Sequence, residues 1–181
     1  VLHPLKVVLT NWDADKTLTL TVENHPKHPE MGSHTVTFGK ELYIEQEDFM
    51  EEAPKKFFRL KPGGEVRLKH AYIIKCEDVI KDEQGKVVEL HCTYDPDSKT
   101  GGATAGRKVK GTIHWVCADK AFKAEVRLYE NIIDEEKGVY NEDGSLNLNP
   151  NSLIVKECYL EPSLKEAAPY ESFQFVRQGF F

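Results

Sequence analysis

The sequence lacks the parts from which most membrane proteins, secreted scaffolds and enzymes are built. No apolar run in its 181 residues approaches the roughly 18 that a membrane-spanning helix needs. The opening residues, VLHPLKVVLTNW, have neither a basic head nor a small-residue cleavage site, so no secretory signal is expected there. Position 1 is Val rather than Met, and the chain is expected to be a piece of a longer protein. Cysteine is scarce: Cys76, Cys92, Cys117 and Cys158 stand far apart, with no C-x-x-C pair. Four such residues do not make a disulfide framework or a local zinc site. Their strand-like surroundings predict buried free thiols, which suits a reducing cytoplasm.

The signatures of catalysis are missing as well. There is no G-x-x-x-x-G-K-[ST], no G-x-G-x-x-G opening a helix, no G-x-S-x-G and no H-E-x-x-H. GGATAG (101–106) has no adjoining Lys-Ser/Thr and leads into a strand, so it reads as a mobile loop rather than a phosphate cradle. The adjacent acids Glu51–Glu52 and Glu135–Glu136 read as solvated. His25, His28 and His34 share a proline-rich region, but at spacings too irregular for a metal site. No catalytic residue, metal or cofactor is expected in this chain.

What is present is β-structure. TLTLTV (17–22) and SHTVTF (33–38) place β-branched or apolar residues at every second position, the period of a half-buried strand. Further strands are predicted at 5–9, 41–45, 64–80, 86–94, 107–117, 122–129, 152–159 and 172–177. Turn-rich stretches such as ENHPKHPEMG, KPGG, DEQG and NEDGS separate them. Residues 65–94 read as one long hairpin closed at Asp82–Gly85. Its inward set is Val66, Leu68, His70 or Tyr72, and Ile74 on one arm, with Val87, Leu90 and Cys92 on the other. Helical signal is confined to a short stretch before Pro54 and to EPSLKEAA (161–168), where Ser163 and Glu166 have capping-box spacing. The fold class predicted is all-β, a barrel or sandwich, with two barrels side by side as one arrangement.

One stretch departs from the overall charge. The chain is acidic, net −6 with a pI near 5.7, yet KKFFRLKPGGEVRLKHAYIIK (55–75) holds seven basic residues and a single acid, Glu65. They are interleaved with Phe57, Phe58 and Tyr72. A local basic patch with aromatics suits nucleic acid whatever the net charge. On a strand, Arg67 and Lys69 share one face with Glu65, and a solvated charged face remains the plainer alternative.

That stretch resembles the C-terminal anticodon-binding region of the glutaminyl-tRNA synthetase family. So do HPLKVV, NHPKHPEMGS, TYDPDS, GRKVKGTIHWV, AEVRLYE, NPNSLIVKE, EPSLKEA and FQFVRQGFF. These segments occur in the family's order and cover nearly the whole chain. The resemblance implies two adjacent β-barrels, a proximal one from 1–53 plus 150–181 and a distal one from 54–149. It implies that the partner is the anticodon loop of tRNA-Gln, and that the chain works with a Rossmann-type catalytic half of the same parent, a cytoplasmic monomer using ATP with Mg. It carries RNA-contacting roles to Arg59, Arg67 and neighbouring Lys69, to Gln174 as a base-reading amide, and to Arg177, Lys56 and Lys27. Lys56 stands where some relatives have Gln and is expected on a phosphate. Related glutamyl-tRNA synthetases share the middle motif and are the closest alternative. A barrel binding ribosomal RNA or protein is the next.

Overall fold

In the computed structural model, which describes residues 1–99 and 101–181, strands dominate and the helical content is three short 3-10 turns. The strands are β1 (Pro4–Leu9), β2 (Leu18–Glu23), β3 (Ser33–Phe38), β4 (Glu41–Glu45), β5 (Glu65–Leu68), β6 (Ile73–Lys81) and β7 (Val87–Tyr94). They continue with β8 (Thr112–Ile113), β9 (Val116–Cys117), β10 (Phe122–Tyr129), β11 (Leu153–Leu160), β12 (Gln174–Phe175) and β13 (Gly179–Phe180). The all-β expectation holds. No helix among the described residues is long and apolar enough to cross a membrane.

Seven strands form one sheet in the order β8-β5-β6-β7-β1-β4-β9. Laid flat, its two edges would lie about 29 Å apart, at roughly 4.8 Å per strand. Yet the edge strands β8 and β9 are separated in the chain only by His114 and Trp115, a span of at most about 11 Å. The sheet therefore curls round on itself. Inside the curl lies the main core, with Val7, Leu9, Phe38, Leu42, Ile44, Leu68, Ile74 and Leu90 all fully buried. Trp12, Phe38, Tyr72 and Trp115 pack there at mostly edge-to-face angles.

Strands β1 and β4 come from the segment expected in the proximal barrel, whereas their partners β7 and β9 come from the segment expected in the distal one. The seven-stranded sheet thus joins strands from both segments. A second, smaller cluster joins Leu2, Val126 and Cys158 with Leu128, Leu160, Phe175 and Phe181. It lies against the β10–β11 ribbon, paired from Phe122↔Leu160 to Tyr129↔Leu153, and the β12–β13 hairpin. All four cysteines are buried free thiols, as their sequence settings predicted.

Two local readings change. The predicted strand 64–80 is broken after Leu68, where the chain reverses through Lys69 and His70 before β6. His70 takes a left-handed conformation (φ 62°), and Ala71 N–H donates to the Leu68 carbonyl at 2.9 Å. Lys-His-Ala-Tyr contains neither Gly nor Pro to mark this turn, and Tyr72 resumes the inward positions of Val66 and Leu68. The β6–β7 reversal at Asp82–Gly85 is as predicted, with the Asp82 carboxylate accepting from the Gln84 and Lys86 amides. The capping box at 163–166 does not form. Pro162–Glu166 is a 3-10 turn, and Ser163 Oγ donates to the Glu161 carboxylate instead of accepting from a backbone amide.

Candidate nucleic-acid interface

The basic stretch does not behave as one patch. Arg59 follows an exposed turn in which Phe57 N–H donates to the Pro54 carbonyl. The segment then pairs with the end of the preceding 3-10 turn, Leu60 N–H donating to Asp48 O and Met50 N–H to Leu60 O. This brings the Arg59 side chain over Asp48. Its Nη1 donates to the Glu47 carbonyl at 2.9 Å, and its Nε lies 3.5 Å from Asp48 Oδ1.

The other partner of Asp48 comes from the far end of the chain. In the β12–β13 hairpin, alternation turns Phe175 onto Phe181 in the smaller core and leaves Gln174 exposed. Gln178 N–H donates to the Phe175 carbonyl, closing a tip at which Arg177 is left-handed (φ 64°). From that tip Arg177 Nη1 donates to Asp48 Oδ1 at 2.8 Å, and Nη2 donates to the Thr112 carbonyl on β8. Two predicted contact residues, 118 positions apart in sequence, thus share one carboxylate. The Asp48 side chain is only 4% exposed. Its burial raises the carboxyl pKa above the usual range, and the charges of Arg177 and then Arg59 offset this in part.

Beside this pair, Gly111 approaches the Phe58 backbone so closely that a Cβ there would stand 2.1 Å from the Phe58 oxygen. That approach sets Lys110 Nζ 5.2 Å from the centre of the Phe58 ring, which is 47% exposed. Lys55, Lys56, Lys61, Lys69, Lys108 and Lys110 are all exposed. Among the described residues none of them lies within salt-bridge distance of an acid, since the ion pairs involve other lysines. The aromatics divide: Tyr72 is core, Phe57 is half-buried beneath Arg59 at 5.8 Å, and Phe58 is open.

Arg67 is placed differently. Its Nη1 donates to the Ser98 carbonyl at 2.7 Å and its Nη2 to the Ala105 carbonyl at 3.1 Å. Nearby, Arg107 bridges Glu65 and Asp95, and Thr104 Oγ1 donates to Asp95 at 2.8 Å. These contacts pin the described parts of the glycine-rich stretch, 95–99 and 101–107, against β5; a freely mobile loop was expected there. Thr100 lies outside the described residues. Lys27 sits exposed in the β2–β3 connection, and no contact among the described residues ties it to the Asp48 cluster.

Sequence reasoning missed Asp48, Lys108 and Lys110. Nothing distinguishes Asp48 among the acids of EQEDFMEE, since its burial comes from pairing with a distant segment. The K-V-K alternation in GRKVKGT was a legible signal for the lysines. The one compact cluster with metal-ligating chemistry among the described residues, His3 with Glu45 and Glu47, is already accounted for. Glu45 accepts the Leu2 and His3 amides, while His3 Nδ1 bonds Glu47.

Residues 1–95 match a family described as tRNA synthetases class I (E and Q), anti-codon binding domain, and residues 112–181 match a second family of the same description. The whole chain aligns with glutamine–tRNA ligases of Clostridium perfringens (51% identical), Clostridioides difficile (52%) and Nitrosomonas europaea (49%). It spans 33% of the length of each. With the match to the first model covering more than half its length, the chain belongs to the family of class I (E and Q) tRNA synthetase anticodon-binding domains.

Proposed function

We propose that this chain reads the anticodon loop of tRNA-Gln as part of a glutamine–tRNA ligase. The observation that carries the reading is the convergence of Arg59 and Arg177 on buried Asp48, with Gln174 exposed on the same hairpin as Arg177 and exposed lysines that have no acidic partner among the described residues. Unstacked anticodon bases are recognised on their pairing edges by planar side chains. A guanidinium fork and a carboxamide supply the donors and acceptors for that. Arg59, Arg177 and Gln174 contact bases, whereas Lys56 and Lys69 neutralise phosphates. Arg67 acts by shaping the loop on the β5 side, and Lys27 is an outlying phosphate contact. The catalytic half, using ATP with Mg, belongs to the rest of a monomeric cytoplasmic parent.

The test is binding of anticodon stem–loops that differ only in the three anticodon bases. Loops bearing CUG or UUG are expected to bind more tightly than CUC or UUC, with affinity falling steeply as salt rises. Preference for CUC and UUC would assign the chain to a glutamyl-type parent. No binding to any loop at low salt would favour a barrel that binds ribosomal RNA or protein.

A further inference from the structure

Resting on the anticodon reading above, we propose that Asp48 is a positioning residue that joins Arg59 and Arg177 into one rigid reading element. The two arginines reach the surface on unrelated supports, one after the turn at 54–57 and the other at a hairpin tip 118 positions later. Neither support fixes where its guanidinium lies relative to the other. Asp48 links them, because its Oδ1 accepts a hydrogen bond from Arg177 Nη1 at 2.8 Å and forms an ion pair with Arg59 Nε at 3.5 Å. The backbone carbonyl of Glu47 accepts from Arg59 Nη1 and that of Thr112 from Arg177 Nη2, so each guanidinium is held at two of its three nitrogens. An arginine has five N–H donors, so each fork keeps three for a ligand, and both side chains remain about one-third exposed. A buried carboxylate is costly to place, and burial does raise the Asp48 pKa in spite of two cationic neighbours. The return is pre-organisation: a single-stranded RNA meets two forks already spaced, without ordering them on binding.

Three roles for Asp48 separate experimentally. Were it only a negative charge near RNA, Asp48→Asn would tighten binding to every loop. Were it only a fold element, D48N would weaken all loops alike and lower the melting temperature. As a positioning residue, it makes D48N lower cognate affinity about tenfold, the scale of one well-placed bidentate contact. Loops with altered anticodons change less than about twofold, so the selectivity ratio collapses. In an Arg177→Ala background D48N then has little further effect, because the forks are already uncoupled.

The experiment is fluorescence-anisotropy titration of the wild-type chain, D48N, R177A and the double variant, with cognate and altered stem–loops at two salt concentrations. Melting curves serve as the control for folding. If D48N fails to fold, Asp48→Glu carries the test, because it keeps the charge and displaces both forks by one methylene. An unchanged selectivity ratio in D48N, or fully additive effects in the double variant, would overturn the inference while leaving the anticodon reading intact. A wild-type chain that treats all loops alike would overturn both.

Discussion

Replacing Arg67 by Ala separates a clamp from a ligand contact, two roles that the basic stretch does not distinguish. The guanidinium makes two good hydrogen bonds, to the carbonyls of Ser98 at 2.7 Å and Ala105 at 3.1 Å. A third, to Ala71 at 3.4 Å, is too long to count for much. Bonds from a charged donor contribute about 1.5–3 kcal/mol each, so two give a gross value of about 3–6 kcal/mol. The side chain is only half-buried and solvent screens its charge, which cuts the net loss to about 2 kcal/mol. For a chain of this size that lowers the melting temperature by roughly 4–8 °C. The loop should also open, so trypsin should cut at Arg107 and Lys108 faster in R67A than in wild type. Arg67→Lys should recover less than half of the loss, since one ammonium cannot span two carbonyls as a fork does. If R67A melts within about 1 °C of wild type and keeps its loop protected while losing RNA affinity, the clamp account is wrong.

Two further perturbations test the frame around the site. Gly111→Ala would put a methyl 2.1 Å from the Phe58 oxygen; a loss of about 2–3 kcal/mol is expected from the forced backbone shift, and denaturant melts within about 0.5 kcal/mol of wild type would refute it. His114, between β8 and β9, has its pKa lowered to about 3, chiefly by burial and then by nearby cations including Lys69 and Arg177. The unfolded chain takes up this proton near pH 6.5 and the folded one does not, so stability is flat above that value and falls as pH drops towards 3. The loss is at most about 5 kcal/mol, and less where water reaches the ring. His114→Gln should flatten that slope, and an imidazole titrating near 6.5 by NMR would refute the account.

The strands with strict alternation were legible because each is half-buried against a core: β2 and β3 fall within a residue of TLTLTV and SHTVTF. The break after Leu68 was not. A reversal at Lys69–His70 keeps the side-chain period on either side, and its left-handed residue is a histidine rather than a glycine. The segment 107–117 was overread for a different reason. Only Thr112–Ile113 and Val116–Cys117 pair, because that stretch hands the chain from one edge of the curled sheet to the other. Closure of this kind depends on which strands neighbour each other, and that order is not written in any local window.

The site was legible as residue types but not as an arrangement. Arg59, Arg67 and Arg177 carry the same charge and the same fork, and sequence gives no ground for treating them differently. The fold does so through what each fork finds beneath it. Arg67 finds the carbonyls of a loop whose turn at Gly102 passes too close to Asp97 O to admit a Cβ, and both of its terminal nitrogens bond that loop. Arg59 and Arg177 find a single buried carboxylate, which lies against both while each side chain stays about one-third exposed. A basic patch owes its salt-dependent affinity to the number of its charges. Its ability to prefer one loop over another depends on where the forks are held, and in this chain an acidic residue sets that position for two of them.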